Sequence, residues 1–95
     1  MTSFALSPAA QKDVNEIWDY TTERWGADQA ESYIQDIRDT CQGLAAGTRH
    51  ARPVEIREGY FKCSTGSHFI YFRYADTELQ IIRILHKSRE PSLHL

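Results

Sequence analysis

Ninety-five residues suffice for one folded domain and not for two, and a chain of this length buries about two-thirds of its unfolded surface. With 41% hydrophobic, 25% charged and 12% aromatic residues, the composition is that of an ordinary soluble domain and excludes a disordered or fibrous chain. The net charge of -2 conceals a split: residues 1–47 carry eight acids against Lys12, Arg24 and Arg38, and residues 48–95 carry eight bases against five acids. The basic half suits a polyanion or an acidic protein partner, unless the two halves are simply two differently solvated faces.

Cys41 and Cys63 are widely separated and fall at apolar positions, which predicts buried free thiols in a reducing compartment and no disulfide framework. The N-terminus shows no basic region followed by an apolar run, and no segment approaches the ~20 apolar residues of a membrane span. A cytoplasmic, monomerically folded unit covering residues 1–95 is the expectation.

In chain order, Thr2 to Leu6 alternates weakly and predicts a short strand. Ser7-Pro8 then supplies an N-cap and a first-turn proline for a helix from Pro8. Ala10, Val14, Ile17, Trp18, Thr21 and Trp25 form its apolar stripe, with Asp13, Asn15, Asp19 and Glu23 outside it. Gly26 ends that helix. Asp28 with Glu31 resembles a capping box, and Ala30, Tyr33, Ile34, Ile37, Cys41, Leu44 and Ala45 carry a second helix to Gly47.

Beyond a polar stretch from Thr48 to Pro53 the apolar period falls to two, and strands take over. Val54 to Arg57 reads as a short edge piece. Tyr60 to Ser64, Ser67 to Tyr74 and Glu78 to His86 read as three antiparallel strands, because loops this short cannot carry parallel crossovers. Strict alternation sets His68, Ile70, Phe72 and Tyr74 against Phe69 and Tyr71, and Leu79, Ile81 and Leu85 against Ile82 and Ile84. The fold class is therefore α+β: a short N-terminal strand, a helical hairpin and a three-stranded antiparallel meander, with the hairpin on one face. The other face is too apolar to stand bare, so loops and the C-terminal tail must cover it, or a partner does.

Signatures of nucleotide-binding enzymes, zinc proteases and serine hydrolases are absent, and no cofactor or metal is expected. Cys63 and His68 flank the Thr65-Gly66 turn, but two donors do not make a zinc site. His86 is the best candidate acid or base, because imidazole titrates near neutrality and Arg83, Lys87 and Arg89 stand close in sequence. With Arg73 and Arg83 it has the makings of an RNA-cleaving centre; the alternative is a solvated histidine among surface cations. Arg57, Arg73 and Arg83 either project together from neighbouring strands toward an anion or pair with Glu55, Glu58 and Glu78. The aromatic residues of the strands, and Trp18 and Trp25, read first as core.

Five segments in order carry a resemblance: Asp13-Val14-x-x-Ile17-x-x-Tyr20, Trp25-Gly26-x-x-Gln29-Ala30-x-x-Tyr33, Arg57-Glu58-Gly59-Tyr60, Gly66-Ser67-His68-x-Ile70-x-Phe72-Arg73 and Ile82-Arg83-Ile84-Leu85-His86. Together they span nearly the whole chain, which resembles the ParE toxins of bacterial type II toxin-antitoxin systems, within the wider RelE/ParE superfamily. The resemblance implies a hairpin packed on an antiparallel sheet, growth inhibition through DNA gyrase, and neutralisation by a ParD-like antitoxin in a hetero-oligomer. Operator DNA would be reached only through the antitoxin. RelE-type relatives instead cut messenger RNA on the ribosome, and one scaffold serves both outcomes. Arg73 and His86 look comparable to nuclease residues, yet Lys87 and Ser88 follow His86 and no tyrosine ends the chain. That departure points to a gyrase inhibitor without catalytic activity of its own. The expected contact residues for antitoxin or target are Arg57, Tyr60, Arg73, Arg83, His86, Lys87 and Arg89.

Overall fold

The computed structural model describes residues 3–95, so Thr2, the expected start of the first strand, lies outside the described residues. Ser7 works at both ends of its hydroxyl: Oγ accepts the Ala10 N–H at 3.0 Å and donates to the Ile82 carbonyl at 2.7 Å. The cap that starts helix α1 (Pro8–Trp25) thus also pins it to the last strand. Gly26, at φ 92°, is the whole connection between α1 and α2 (Ala27–Ala46), and its N–H closes α1 on the Thr22 carbonyl at 2.9 Å. Such a φ suits only glycine, which is why the turn is so short. The expected Asp28 capping box does not form. Helix α2 begins two residues earlier, capped at Gly26, and Asp28 sits inside its first turn, where a carboxylate favours the positive end of the helix dipole.

Five strands make one sheet in the order β1-β5-β4-β3-β2. The meander of β3 (Tyr60–Thr65), β4 (His68–Tyr74) and β5 (Leu79–His86) is antiparallel as expected. Strand β1 (Phe4–Leu6) joins the far edge, parallel to Leu79–Ile81 of β5, and both helices intervene between the paired strands. The second edge strand is β2, Arg52–Pro53, paired with Lys62 and Phe61, and not the expected Val54–Arg57. Pro53 is tolerated at a sheet edge. From Val54 the chain turns, with the Val54 N–H donating to the Tyr60 carbonyl, and the Val54 side chain is buried.

Alternation holds along β4 and fails along β5. Tyr71 pairs with Arg83 but Phe72 pairs with Ile81, so Ile82 is an extra residue in the ladder. The bulge inverts the side-chain parity beyond it. Leu79, Ile81 and Ile84, not Leu85, share the main core with Ile70, Phe72, Cys63 and the helix residues Ala10, Ile17, Ile37, Cys41 and Leu44. Leu85 lies with Tyr71 and Val54 in a second cluster, against which Phe69, Tyr60 and Leu95 pack. Loop and tail therefore cover the outer apolar face. Both cysteines are buried and free, and burial together with Cys63 pushes the Cys41 thiol up to about 12.

Candidate functional site

The stripe expected for α1 is displaced. The buried positions are Ala10, Asp13, Ile17 and Thr21, whereas Trp18 is over one-third exposed and Trp25 is 62% exposed. Spacings of three, four and four place the carboxylate of Asp13 inside the stripe and rotate both tryptophans off it. Asp13 meets the edge of β5 that β1 leaves unpaired beyond Ile81. Its Oδ2 accepts the Ile84 N–H at 2.9 Å and Arg83 Nε at 2.8 Å, and its Oδ1 accepts Arg83 Nη2 at 2.9 Å. This carboxylate neutralises Arg83, raises its pKa through the charged hydrogen bond, and secures the backbone just past the bulge. Arg83 Nη1 also reaches the His94 carbonyl at 3.4 Å, drawing in the C-terminal tail.

A second constellation lies at the β3–β4 turn. Tyr33 on α2 accepts the Ser67 N–H at 2.9 Å through its hydroxyl and lies 2.6 Å from His68 Nδ1 and 3.4 Å from the Thr65 carbonyl. Gly66 permits this: a Cβ there would fall 2.5 Å from Tyr33 Cε1. His68 pairs in register with His86, the rings meeting edge-on with centroids 5.4 Å apart. Burial first, then His86 and Lys87, lower the His68 pKa to about 4, so its ring is neutral at pH 7. His86 Nδ1 accepts the Ser88 N–H at 3.1 Å and lies 2.7 Å from the Ser88 hydroxyl.

Both constellations border one groove of about 660 Å³ between the hairpin and the end of β5. Arg83, His86 and Arg89 of the expected contact set line it; Asp13, Tyr33, His68 and Ser88 were not in that set and line it too. Lys87 stands apart, its ammonium 5.3 Å from the Phe69 ring centre. Arg57, Tyr60 and Arg73 belong to the other end of the sheet. Arg57 covers the Tyr60 ring at 4.6 Å, Tyr60 pairs with Arg73, and Arg73 Nε donates to Gln80 at 2.7 Å. Four residues of β4 lie between Arg73 and His68, the partner of His86, which puts about 17 Å of strand between them. The three arginines do not converge, and the salt bridge that forms joins Arg83 to Asp13 and not to a neighbouring strand's glutamate. The signal that would have found Asp13 was its place between Ala10 and Ile17 at helical spacing. Nothing local marks Tyr33 as the partner of a histidine 35 positions away.

Among the described residues, no group of three or more histidines, cysteines or carboxylates is placed to hold a metal, and no helix is long and apolar enough to cross a membrane. Residues 4–91 match the family model described as the ParE toxin of type II toxin-antitoxin systems, parDE. The chain belongs to the ParE toxin family. Toxin ParE1 of Mycobacterium tuberculosis is 40% identical over 94 residues, with 97% of this chain and 96% of that toxin covered. Toxin ParE1 of Caulobacter vibrioides is 35% identical over 96 residues, covering 100% and 99%. Among solved structures, a chain of the chromosomal ParDE system from P. aeruginosa superposes with a TM-score of 0.77 at 27% identity, covering 90% of this chain and 96% of that one. A conserved hypothetical protein from Helicobacter pylori shares the fold, with a TM-score of 0.57 at 18% identity and coverage of 94% and 98%. The ParE fold is thus the α+β arrangement described above, and the chain is a toxin of a type II system.

Proposed function

We propose that this ParE toxin acts in the cytoplasm as a protein inhibitor of DNA gyrase and is neutralised by a ParD-like antitoxin bound directly to it. The observation that carries the reading is the family match over residues 4–91. The layout of the cations agrees with it. A ribosome-dependent ribonuclease built on His86, Arg73 and Arg83 needs all three around one phosphate. Here Arg73 stands at the opposite end of β4, and Arg83 is committed to a buried carboxylate.

Two separate surfaces suit a toxin that meets two partners. Arg57, Tyr60 and Arg73 form one, at the start of β3; Arg83, His86 and Arg89 form the other, beside exposed Tyr20 and Trp25 of α1, while Lys87 lies over the Phe69 ring. An acidic, amphipathic antitoxin segment has cations and aromatic surface to engage, and operator DNA is reached only through that antitoxin. No cofactor enters the reading.

Purified toxin is expected to block supercoiling by a bacterial gyrase and to accumulate cleaved DNA, with activity lost on adding the antitoxin. A host gyrase that supercoils normally under excess toxin, in cells whose transcripts are cut, would transfer the assignment to the ribonuclease. In that case His86→Gln must abolish the cutting.

A further inference from the structure

Three polar groups open on the groove without a protein partner among the described residues: His68 Nε2, His86 Nε2 and the Arg89 guanidinium. Both Nδ1 atoms are engaged. His86 Nδ1 accepts the Ser88 N–H, so the neutral ring carries its proton on Nε2. Tyr33 already accepts the Ser67 N–H, and its own hydrogen lies along the 2.6 Å contact to His68 Nδ1 in preference to the 3.4 Å contact to Thr65, which again leaves the proton on Nε2. The groove therefore receives donors from all three groups. That suits an oxyanion and is wrong for a metal ion, which needs the Nε2 lone pairs.

The α1 wall of the same groove is aromatic. Tyr20 and Trp25 meet edge to face with centroids 6.2 Å apart; Arg24 covers one face of Tyr20, while Trp25 stays largely exposed. The volume falls within the range of small-molecule sites. We propose that this groove binds a nucleoside monophosphate, the phosphate held by His68, His86 and Arg89 and the base resting on Trp25. Glu16 lines the α1 wall and exposed Asp19 and Glu23 follow it, which opposes a second phosphate or a long polyanion.

Binding couples to protonation. His68 faces Tyr33 from α2, Asp13 and Glu16 from α1, and Arg83, His86, Lys87 and Arg89 from β5 and the turn after it. A dianion beside it raises a pKa that burial, His86 and Lys87 hold at about 4. Once His68 is charged, its Nδ1–H donates to the Tyr33 oxygen and the Tyr33 hydrogen turns to the Thr65 carbonyl, so every partner stays satisfied.

Titrating the purified chain with adenosine monophosphate, by calorimetry in two buffers of different ionisation heat and by tryptophan fluorescence, tests the proposal without gyrase or antitoxin. The expected dissociation constant is on the order of 100 µM, tightening about tenfold from pH 8 to pH 6 with proton uptake. Inorganic phosphate should bind about tenfold more weakly for want of the base. Arg89→Gln and His86→Gln, both at exposed positions, should each cost about tenfold. A short single strand with a 5′-phosphate that matches the mononucleotide, while its unphosphorylated form does not bind, would support the site with a chain end as the ligand's source. The proposal is overturned by no binding at about 10 mM nucleotide, by affinity indifferent to both substitutions or to pH, or by equal binding of the unphosphorylated strand.

Discussion

The two ends of the β3–β4–β5 meander carry the same kinds of residue and use them differently. At the Tyr60–Arg73–Gln80 end, Arg57 lies over Tyr60 and Arg73 bonds to a glutamine, contacts that solvent shares. At the His68–His86 end, Asp13, Tyr33, His68 and Arg83 interlock across α1, α2 and the turn, with most polar atoms accounted for. Residue type does not tell the two apart. Desolvation does, because a hydrogen bond withdrawn from water is costly to lose and an exposed one is not.

The sharpest way to break the contrast is Asp13→Ala. It strips three hydrogen bonds from β5 and leaves Arg83 without its counter-ion, so denaturant unfolding should show a loss of about 3 kcal/mol. Tyr33→Phe comes next. It abandons the Ser67 N–H and the His68 ring, and is expected to cost about 1–2 kcal/mol and to speed hydrogen exchange at Ser67.

A pH-dependent effect separates the ends further. His68 titrates below its unfolded value, so the unfolded chain binds the proton more readily, and stability should fall as pH drops from about 6.5 toward about 4. Thermal unfolding across that window should be flatter for His68→Gln; an unchanged slope would remove His68 as the cause. The least effect belongs to Arg73→Gln, whose melting curve should lie within about 0.5 kcal/mol of wild type, although in the proposed reading it weakens a partner contact.

Much of this was legible from local pattern. Ser7-Pro8 announced α1 and Gly26 its end, the 3.6 period carried α2 to Gly47, and the short loops required an antiparallel meander. Tyr71 and Phe72 were assigned to opposite faces and are buried on them. The site was legible only in part. Arg83, His86 and Arg89 do meet at one groove, but Arg57, Tyr60 and Arg73 are held at the other end, because neighbours in sequence pattern are not neighbours across a register.

The amino-acid order by itself determined the two helices, the three-strand meander, their succession and the family, since periodicity and motif spacing are local properties of the chain. Tertiary structure alone decided that β1 lies beside β5 with two helices between them, that Ile82 bulges, and that Asp13 rather than Trp25 faces inward. The reason is physical: a one-residue bulge reverses a period of two, and the β5 backbone at and beyond it finds its partners in Ser7 and Asp13, more than 70 positions away.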